Sequence, residues 1–416
     1  MVAAERRKVV VVGAGIVGAS CAVHLQEDGH DVTLIDRLPP GEACSFGNAG
    51  MLECSSSAPL SMPGVLGQVP KWLMDPLGPF TFSVPHAPRL IPFLFHFIRA
   101  GRRERVETIA DALASLIDTT VEDHQRQAAW AGAAHLIKVY DHLYVYESEA
   151  AFRADAYPWE VRRKRWPRLE VVRGEAIRVL EPAVAPIYPV GVLLRDHGYT
   201  VDPGGLVKAI AEHVARSGGR LLLGEVRAID AGGGRARLVT DDGTIEADAA
   251  VIATGAWSTR LTARLGYRVP LVAERGYHVT LRNAGVSLKA PLIVGDYKFA
   301  VTPMAMGLRF AGTAEFAALD SPPNYARARA LLRHAARMFP GIRLDDYTEW
   351  MGQRPTLPDS LPVIGQAPRH PEVYFAFGHH HLGLTAGAKT GRIIADLIAG
   401  RHPDIDIRPF QVDRFA

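Results

Sequence analysis

The chain has 416 residues, of which 48% are hydrophobic and 22% are charged, an ordinary profile for a globular protein. Because a single hydrophobic core stops growing at about 250–300 residues, this length predicts two closely joined domains. The 47 basic and 44 acidic residues leave a net charge of only +3, which argues against nucleic acid as a partner.

Cys21, Cys44 and Cys54 are the three cysteines, and all of them lie in the first 54 residues. An odd, low count argues against a disulfide framework and indicates a reducing, cytoplasmic location. The short apolar run at the N-terminus leads into a glycine-rich turn, so we expect a strand rather than a signal peptide. No apolar stretch reaches about 18 uncharged residues, so we expect no membrane span.

The first 36 residues have the pattern of a β-α-β unit. The β-branched run Lys8–Val12 predicts a buried parallel strand, and Asp31–Asp36 predicts a second one. Between them, residues 16–28 carry apolar residues at helical spacing. This arrangement is typical of the start of a Rossmann-like domain.

The turn between this first strand and the helix carries the motif Gly13-x-Gly15-x-x-Gly18. Gly13 permits the tight turn, Gly15 lets the backbone approach a pyrophosphate, and Gly18 lets helix and strand pack closely. Asp36 ends the second strand, where its carboxylate suits ribose hydroxyls. The motif in this context predicts a dinucleotide site.

The remaining patterns alternate between helical and extended segments. In chain order they predict an irregular segment over 38–100, helices over 104–131, 152–165 and 200–217, strands over 143–147, 220–223, 225–229, 236–240 and 249–254, antiparallel strands over 267–313, a helix over 324–339, a strand over 373–377 and a helix over 383–400. Nucleotide-type strands therefore occur at the start, near 220–255 and at 373, with antiparallel segments between them.

This order predicts a combined α/β and α+β fold. The dinucleotide domain is expected to be discontinuous and to comprise 1–80, 195–260 and 350–416. An inserted substrate domain on a mixed, mainly antiparallel sheet would comprise 81–194 and 261–349.

Three segments favour FAD over NAD as the cofactor. A small, polar segment, Ser45-Phe46-Gly47-Asn48-Ala49-Gly50, follows the ribose acid, and Thr254-Gly255-Ala256-Trp257-Ser258 follows a buried strand. The third runs from Gly378 to Gly387 into the last helix, whose N-terminus would stabilise negative charge on a reduced flavin.

Together these blocks identify a resemblance that covers essentially the whole chain. The chain resembles the FAD-dependent D-amino-acid oxidase (DAO) superfamily, especially bacterial D-amino-acid dehydrogenases and D-hydroxyproline dehydrogenase-like proteins. Seven blocks carry the resemblance: VVVGAGIVGAS, SFGNAGM, VDPGGLVKAI, VIATGAWS, ERGYHV, GQRPTLPDSLPVIG and FGHHHLGLTAG.

The resemblance implies FAD, an inserted antiparallel substrate domain and oxidation at an amine-bearing carbon. No cysteine follows Cys54, which excludes a cysteinyl flavin link near 351–354, so we predict non-covalent FAD. A histidyl link stays formally open. The predicted cofactor-binding residues are Gly13, Ala14, Gly15, Ile16, Val17, Gly18, Asp36, Arg37, Ser45, Asn48, Ala49, Gly50, Met51, Val226, Thr254, Gly255, Trp257, Gly352, Gly378, His379, Gly383, Leu384 and Thr385.

Five residues are candidates for contact with the substrate. In similar enzymes the arginine of the Gly-Gln-Arg-Pro block pairs with the substrate carboxylate, which suggests this role for Arg354; a structural salt bridge is the alternative. His380 and His381 would lie over the flavin or pack as solvated or core residues, and we expect no metal there. Tyr277 and Tyr297 are both candidates for an active-site tyrosine, and the sequence does not choose between them.

The predicted reaction is oxidation of a small neutral or cyclic D-amino acid, such as D-alanine, D-proline or D-hydroxyproline. Hydride would pass from Cα to flavin N5, and the imine would hydrolyse or remain cyclic. The resemblance also disfavours basic D-amino acids, because this chain has Ala300 where a related D-arginine-oxidising enzyme has a tyrosine, and no acid is evident in that strand. A glycine, sarcosine or L-proline oxidoreductase and a flavin subunit of a larger complex remain alternatives, and the oligomeric state is open.

Electrons are predicted to pass to a quinone or another acceptor rather than mainly to O₂. Residues 60–100 are rich in apolar side chains: Val65, Leu66, Trp72, Leu73, Phe80, Phe82, Leu90, Ile91, Phe93, Leu94, Phe95, Phe97 and Ile98. A basic cluster follows, made of Arg99, Arg102, Arg103 and Arg105. The segment therefore suits peripheral contact with the inner face of the cytoplasmic membrane, or a helix packed on the substrate domain.

Overall fold

A computed structural model describes residues 5–64, 67, 80–82 and 90–415. The strands are β1 (Lys8–Val12), β2 (Asp31–Asp36), β3 (Met51–Leu52), β4 (Phe80–Phe82), β5 (Ile137–Val139), β6 (His142–Tyr146), β7 (Leu169–Arg173), β8 (Val190–Leu194), β9 (Gly198–Thr200), β10 (Arg220–Leu223), β11 (Val226–Gly232), β12 (Arg235–Thr240), β13 (Gly243–Ala247), β14 (Ala249–Ile252), β15 (Val272–Leu281), β16 (Leu292–Val294), β17 (Phe299–Met304), β18 (Gly307–Phe316), β19 (Tyr347–Thr356), β20 (Val363–Ala367) and β21 (His370–Phe377).

The α-helices of the described residues are α1 (Ile16–Glu27), α2 (Ile91–Ala100), α3 (Arg103–Ile117), α4 (Thr120–Trp130), α5 (Glu149–Ala154), α6 (Ala156–Arg165), α7 (Glu175–Leu180), α8 (Pro203–Arg216), α9 (Ser258–Arg264), α10 (Ala326–Met338) and α11 (Gly383–Ile398). Short 3₁₀ turns precede some of them, including His380–Leu382 immediately before α11.

The dinucleotide half of the fold is a six-stranded sheet with the order β10-β2-β1-β14-β21-β20. All neighbours run parallel except β20, which pairs antiparallel with β21 at the edge. Val9 and Val11 face a helical layer, and Val10 and Val12 face the small sheet β11-β12-β13. Both faces are covered, which explains why β1 is an unbroken apolar run. The predicted β-α-β start is confirmed.

Helix α1 packs closely against α11 because small residues line the contact. A Cβ added at Gly391 would lie 2.5 Å from the carbonyl oxygen of Ser20, and one at Gly387 would lie 3.1 Å from Ile16. The first turns of both helices therefore reach the same end of the sheet.

The second large sheet has nine strands, in the order β19-β15-β18-β17-β16-β6-β8-β7 with β4 paired to β18. Most neighbours are antiparallel; β16–β6 and β18–β4 are parallel. Leu331 and Phe339, on and just after α10, pack on Val279 and Phe310 of this sheet. The mixed, mainly antiparallel sheet that the sequence predicts is confirmed.

Several element predictions are wrong in detail. The helix predicted over 104–131 is two helices, α3 and α4, which are separated at Asp118 and Thr119; the Thr119 hydroxyl donates to the Asp123 carboxylate at 2.6 Å. The 152–165 helix is likewise divided into α5 and α6, and the segment over 38–100, predicted to be irregular, contains β3, β4 and α2. The two-domain division stays a prediction, and β19 spans its boundary at 349/350.

Candidate active site

A cavity of about 740 Å³ lies where the carboxyl ends of the parallel strands meet the nine-stranded sheet. Its wall includes Gly13 after β1, Asp36 at the end of β2, Thr254 after β14 and Gly378 after β21. In open α/β sheets this edge is the usual ligand-binding crevice. All predicted cofactor residues line the cavity except Ala14, Gly18 and Gly50.

The glycine-rich turn is shaped by close backbone contacts. Gly13 has φ +110°, and a Cβ there would lie 2.4 Å from the carbonyl oxygen of Ala253. A Cβ on Gly18 would lie 1.7 Å from the carbonyl oxygen of Gly13. Gly18 therefore acts through packing, whereas a Cβ on Gly15 would meet only the Ser45 hydroxyl oxygen, at 3.5 Å, which leaves the N-terminus of α1 accessible. This is the cradle that a pyrophosphate requires.

Two side chains brace this cradle. The Asp36 carboxylate accepts a hydrogen bond from the Ala14 amide at 2.7 Å, and the Ser45 hydroxyl accepts one from the Ile16 amide at 2.9 Å. The guanidinium of Arg37 lies 4.1 Å from the centre of the Trp257 ring. A carboxylate, a planar cation and an indole thus stand side by side, a donor and stacking set that fits a nucleotide.

The three consecutive histidines lead into α11 and line the same cavity. His379 faces the Thr390 hydroxyl at 3.0 Å, and His380 faces the Ser360 carbonyl at 2.8 Å through its Nε2. Burial lowers the pKa of His379 to about 3 and that of His380 to about 4, and it lowers the pKa of His381 as well. All three rings are therefore neutral at neutral pH. Each has a protein partner, because Nδ1 of His381 lies 2.9 Å from Nδ1 of His380.

Arg354 enters the cavity from β19 and pairs across the sheet with Glu274 of β15. Its Nη1 lies 2.6 Å from a Glu274 oxygen and 3.2 Å from the Thr313 carbonyl oxygen. The Thr356 hydroxyl donates to the second Glu274 oxygen at 2.9 Å. Within the described residues, Nη2 and Nε of Arg354 make no hydrogen bond. The arginine thus has a structural ion pair and also free donors facing the cavity.

Gly276 creates the space in which this guanidinium lies. A Cβ at Gly276 would lie 2.2 Å from Nη2 of Arg354 and 2.4 Å from its Cζ. The residue opposite Gly276 in β19 is Gly352, so neither strand has a side chain of its own at this pair. Sequence reasoning missed both Glu274 and Gly276, although the ERGYHV block contains them.

The structure separates the two candidate tyrosines. Tyr277 lines the cavity, but its hydroxyl donates to Glu315 and accepts from the Asn324 amide at 3.1 Å. Tyr297 is not part of the cavity wall; its hydroxyl lies 3.2 Å from Glu147. Tyr277 therefore presents a ring rather than a free hydroxyl.

Charged residues that the sequence did not single out also line the cavity. The strand with Ala300 contributes no acid, as expected, but Glu53, Asp155 and Glu274 reach the wall from other elements. So does Arg162 of α6. These residues are far apart in sequence, and only the fold brings them together.

Cys44 is the cysteine that reaches the cavity. Its thiol donates to the Gln353 carbonyl at 2.7 Å, and burial raises its pKa to about 11. Burial also raises the pKa of Cys54 to about 12. These thiols are protonated near neutral pH, and thiols in that state are poor nucleophiles.

The sheet order and the glycine cradle beside the cavity are those of a dinucleotide-binding protein. Residues 8–397 match the DAO family, described as FAD dependent oxidoreductase. The chain belongs to this family and is an FAD-dependent oxidoreductase.

Named relatives cover nearly its full length. A D-amino-acid oxidase of Bradyrhizobium diazoefficiens is 38% identical, with 99% of each chain covered. A D-amino acid dehydrogenase of Paramagnetospirillum magneticum is 32% identical over 98% of this chain and 99% of its own. A glycine oxidase from Geobacillus kaustophilus shares the fold at a TM-score of 0.73 and 23% identity, with 98% of each chain covered.

The described residues contain no helix that is both long and apolar enough to cross a membrane. They contain no group of three His, Cys, Asp or Glu side chains placed to hold a metal ion.

Proposed function

We propose that this protein is an FAD-dependent dehydrogenase of small neutral or cyclic D-amino acids. The observation that carries the proposal is Arg354, whose free Nη2 and Nε face the same cavity as the glycine cradle. A planar guanidinium fork is the preferred partner of a carboxylate. The full-length relatives named D-amino-acid oxidase and D-amino acid dehydrogenase support the same stereochemistry.

The residues of this chain bind and orient the substrate and set the charge around it. Arg354 would hold the substrate carboxylate, and the neutral His379–His381 run adds no positive charge beside the amine. An amine that binds in its neutral form needs no protein base, because its lone pair assists loss of hydride from Cα. A bound flavin supplies the two-electron acceptor for that hydride. The imine product hydrolyses in water to a 2-oxo acid and ammonia, or stays cyclic when the substrate is cyclic.

Anaerobic reduction of the bound flavin tests this proposal. The purified yellow protein is mixed with single amino acids without oxygen, and the visible flavin absorption is followed. We expect bleaching by D-alanine, D-proline or D-hydroxyproline and not by the L-enantiomers. Bleaching only by glycine, sarcosine or L-proline would overturn the D-specific proposal. No bleaching by any of these compounds would overturn the proposal that this chain by itself oxidises amino acids.

We propose that FAD is held without a covalent bond, because the Cys44 thiol at the cavity wall is protonated and hydrogen-bonded. Acid precipitation of the holoenzyme should release all of its flavin into the supernatant. Flavin that stays with the precipitated chain would contradict this proposal.

We propose further that a membrane quinone takes the electrons at the cytoplasmic face of the membrane, and the support comes from α2. One face of this helix is packed, since Leu90 and Phe93 contact Val272 and Phe316. The other face is exposed at helical spacing, at Ile91, Leu94, Phe95 and Ile98. The two interpretations of this segment, membrane contact and packing on the substrate domain, are thus compatible with each other. Val65, Leu66, Trp72 and Leu73 lie outside the described residues.

The charge around α2 matches an anionic lipid surface. Residues 91–105 carry four exposed arginines and one acid, and none of these arginines makes an ion pair within the described residues. The Ser61 hydroxyl donates to the Phe97 carbonyl, which ties α2 to a segment that lines the cavity. An apolar face beside arginines is the pattern of interfacial helices.

Vesicle sedimentation tests the lipid contact. We expect the holoenzyme to sediment with phosphatidylglycerol vesicles at low salt, and less with phosphatidylcholine vesicles. The double variant Phe95→Ser/Ile98→Ser should stay in the supernatant, whereas Leu223→Ser, an exposed leucine on the edge strand β10, should behave as wild type. Wild-type protein that never sediments with phosphatidylglycerol vesicles would overturn the proposed lipid contact.

A further inference from the structure

Arg162 is a cavity-lining cation with few partners. Its only hydrogen bond within the described residues runs from Nη1 to the Tyr144 hydroxyl at 3.2 Å. No carboxylate of those residues lies within ion-pair distance of it. The guanidinium stands over the rings of Tyr144 and Trp159, 5.2 Å from each centre. Stacking fixes its plane while most of its donors stay free.

Glu53 lies on the other side of the same phenol. The Tyr144 hydroxyl lies 3.5 Å from a Glu53 oxygen, and His142 lies 3.8 Å from that carboxylate. Burial alone would raise the pKa of Glu53, but the His142 ring and the charge of Arg162 lower it to about 2. The carboxylate is therefore ionised. Arg162, Tyr144 and Glu53 thus place a cation, a hydroxyl and an anion next to one another at the cavity wall.

The group is rigidly supported. Trp159 Nε1 donates to the Tyr146 hydroxyl at 2.9 Å, and that hydroxyl donates to Asp155 at 2.9 Å. Trp159 also meets Tyr144 edge to face, with ring centres 5.0 Å apart. These contacts lock α6 onto β6, which is the kind of support that precise recognition needs.

The group shares a chamber with Arg354. Glu53, Tyr144 and Arg162 line the same cavity as His381 and Arg354. A substrate bound at Arg354 therefore occupies the cavity whose wall also carries Arg162 and Glu53.

We propose that Arg162, Tyr144 and Glu53 form a subsite for a neutral substrate side chain that both donates and accepts hydrogen bonds, namely a hydroxyl or a carboxamide. Such a group accepts from Arg162 and donates to Glu53. A carboxylate side chain would be repelled by Glu53, and an ammonium side chain by Arg162. The inference rests on the proposed function and narrows its substrate class to polar, uncharged D-amino acids.

Matched substrate pairs test the subsite in the holoenzyme. We expect kcat/KM with an artificial dye acceptor to be at least about tenfold higher for D-serine than for D-alanine, and for D-hydroxyproline than for D-proline, because a site built for a hydroxyl leaves buried polar groups unpaired without it. D-aspartate and D-lysine should be poor substrates. Equal rates within each pair would overturn the subsite while leaving the proposed function intact. No turnover of any D-amino acid would refute the proposed function itself.

Variants assign the preference to these side chains. Tyr144→Phe and Arg162→Met should each reduce the D-serine to D-alanine ratio about tenfold, and Arg162→Lys should restore part of it. Arg168→Met is the matched control, because Arg168 also stacks on a tryptophan, Trp166, at 5.3 Å but lies outside the cavity wall. Flavin content and melting temperature verify folding. An unchanged ratio in folded Tyr144→Phe and Arg162→Met would contradict the assignment.

Discussion

Arg354 is the residue on which substrate binding is expected to depend most. Replacing it in Arg354→Met should reduce kcat/KM for the preferred D-amino acid roughly a hundredfold, about 3 kcal/mol, because the substrate carboxylate loses its charged partner. Arg329→Met is the control. Arg329 lies on α10 and pairs at the surface with Glu349, which belongs to the same strand as Arg354. Comparable losses in both variants would show that β19 is merely disturbed.

Gly276 permits the position of that guanidinium, so the smallest side chain there should displace it. Gly276→Ala places a methyl 2.2 Å from Nη2 of Arg354, a distance that forces the guanidinium to move. We expect a higher KM for the amino acid with normal FAD content, as steady-state kinetics and the visible spectrum would show. An unchanged KM would mean that the bound substrate does not use the guanidinium in this position.

Tyr277 is expected to matter for stability more than for the reaction. Tyr277→Phe leaves Glu315 without its hydroxyl donor and the Asn324 amide without an acceptor, which should cost about 1–2 kcal/mol of unfolding free energy. Urea unfolding measures this cost. Substrate turnover should fall much less than in Arg354→Met. A large loss of kcat with normal stability would instead show that the hydroxyl turns toward the substrate.

Helices α1 and α11 are the elements whose contact sets the cofactor end of the cavity. Gly391→Ala improves intrinsic helix propensity by up to about 1 kcal/mol, yet its Cβ would lie 2.5 Å from the Ser20 backbone. Since overpacking typically costs about 1–3 kcal/mol, we expect a lower melting temperature and weaker FAD binding on reconstitution. Gly232→Ala, which has open space around its Cβ, should change neither. A Gly391→Ala protein as stable as this control would contradict the tight contact.

Elements with a strong local sequence pattern were predictable from the sequence, whereas features that depend on contacts with other residues were not. The run Lys8–Val12 predicts β1 by itself, because a buried parallel strand needs apolar residues on both faces. Strand β19 escaped prediction because Gly352 and Pro355 interrupt any alternation, while ten residue pairs with β15 hold it in place. The break between α3 and α4 likewise rests on a local Thr119–Asp123 hydrogen bond that helical periodicity does not reveal.

Across the whole molecule, the cofactor side of the site was predictable and the substrate side only in part. The cradle lies within one continuous motif, so Gly13, Gly15 and Asp36 could be assigned from spacing. Arg354 came from resemblance, and its partner Glu274 lies 80 residues away. Arg162 reaches the cavity through the packing of α6 on β6, which no short stretch of sequence encodes.

Buried neutral histidines spread over the molecule should make it sensitive to acid. Burial lowers the pKa to about 3 or about 4 in the following residues: His24, His124, His197, His278, His379 and His380. In the unfolded chain these rings take up protons near about pH 6.5, whereas the folded chain resists until about pH 4. The unfolded state therefore binds more protons in this window, and stability is fully present above about pH 6.5 and declines as the pH falls.

Each such histidine contributes up to about 1.4 kcal/mol per pH unit within that window. His24 offers a clean test, because its ring packs on Trp130 with 5.2 Å between centres and its buried Nε2 has no hydrogen-bond partner within the described residues. His24→Phe keeps the packing and removes the titrating group. Urea unfolding of the holoenzyme between pH 7.5 and pH 5 should show a shallower loss of stability in this variant, by close to one proton. Equal slopes in both proteins, or a wild type that grows more stable in acid, would refute the assignment.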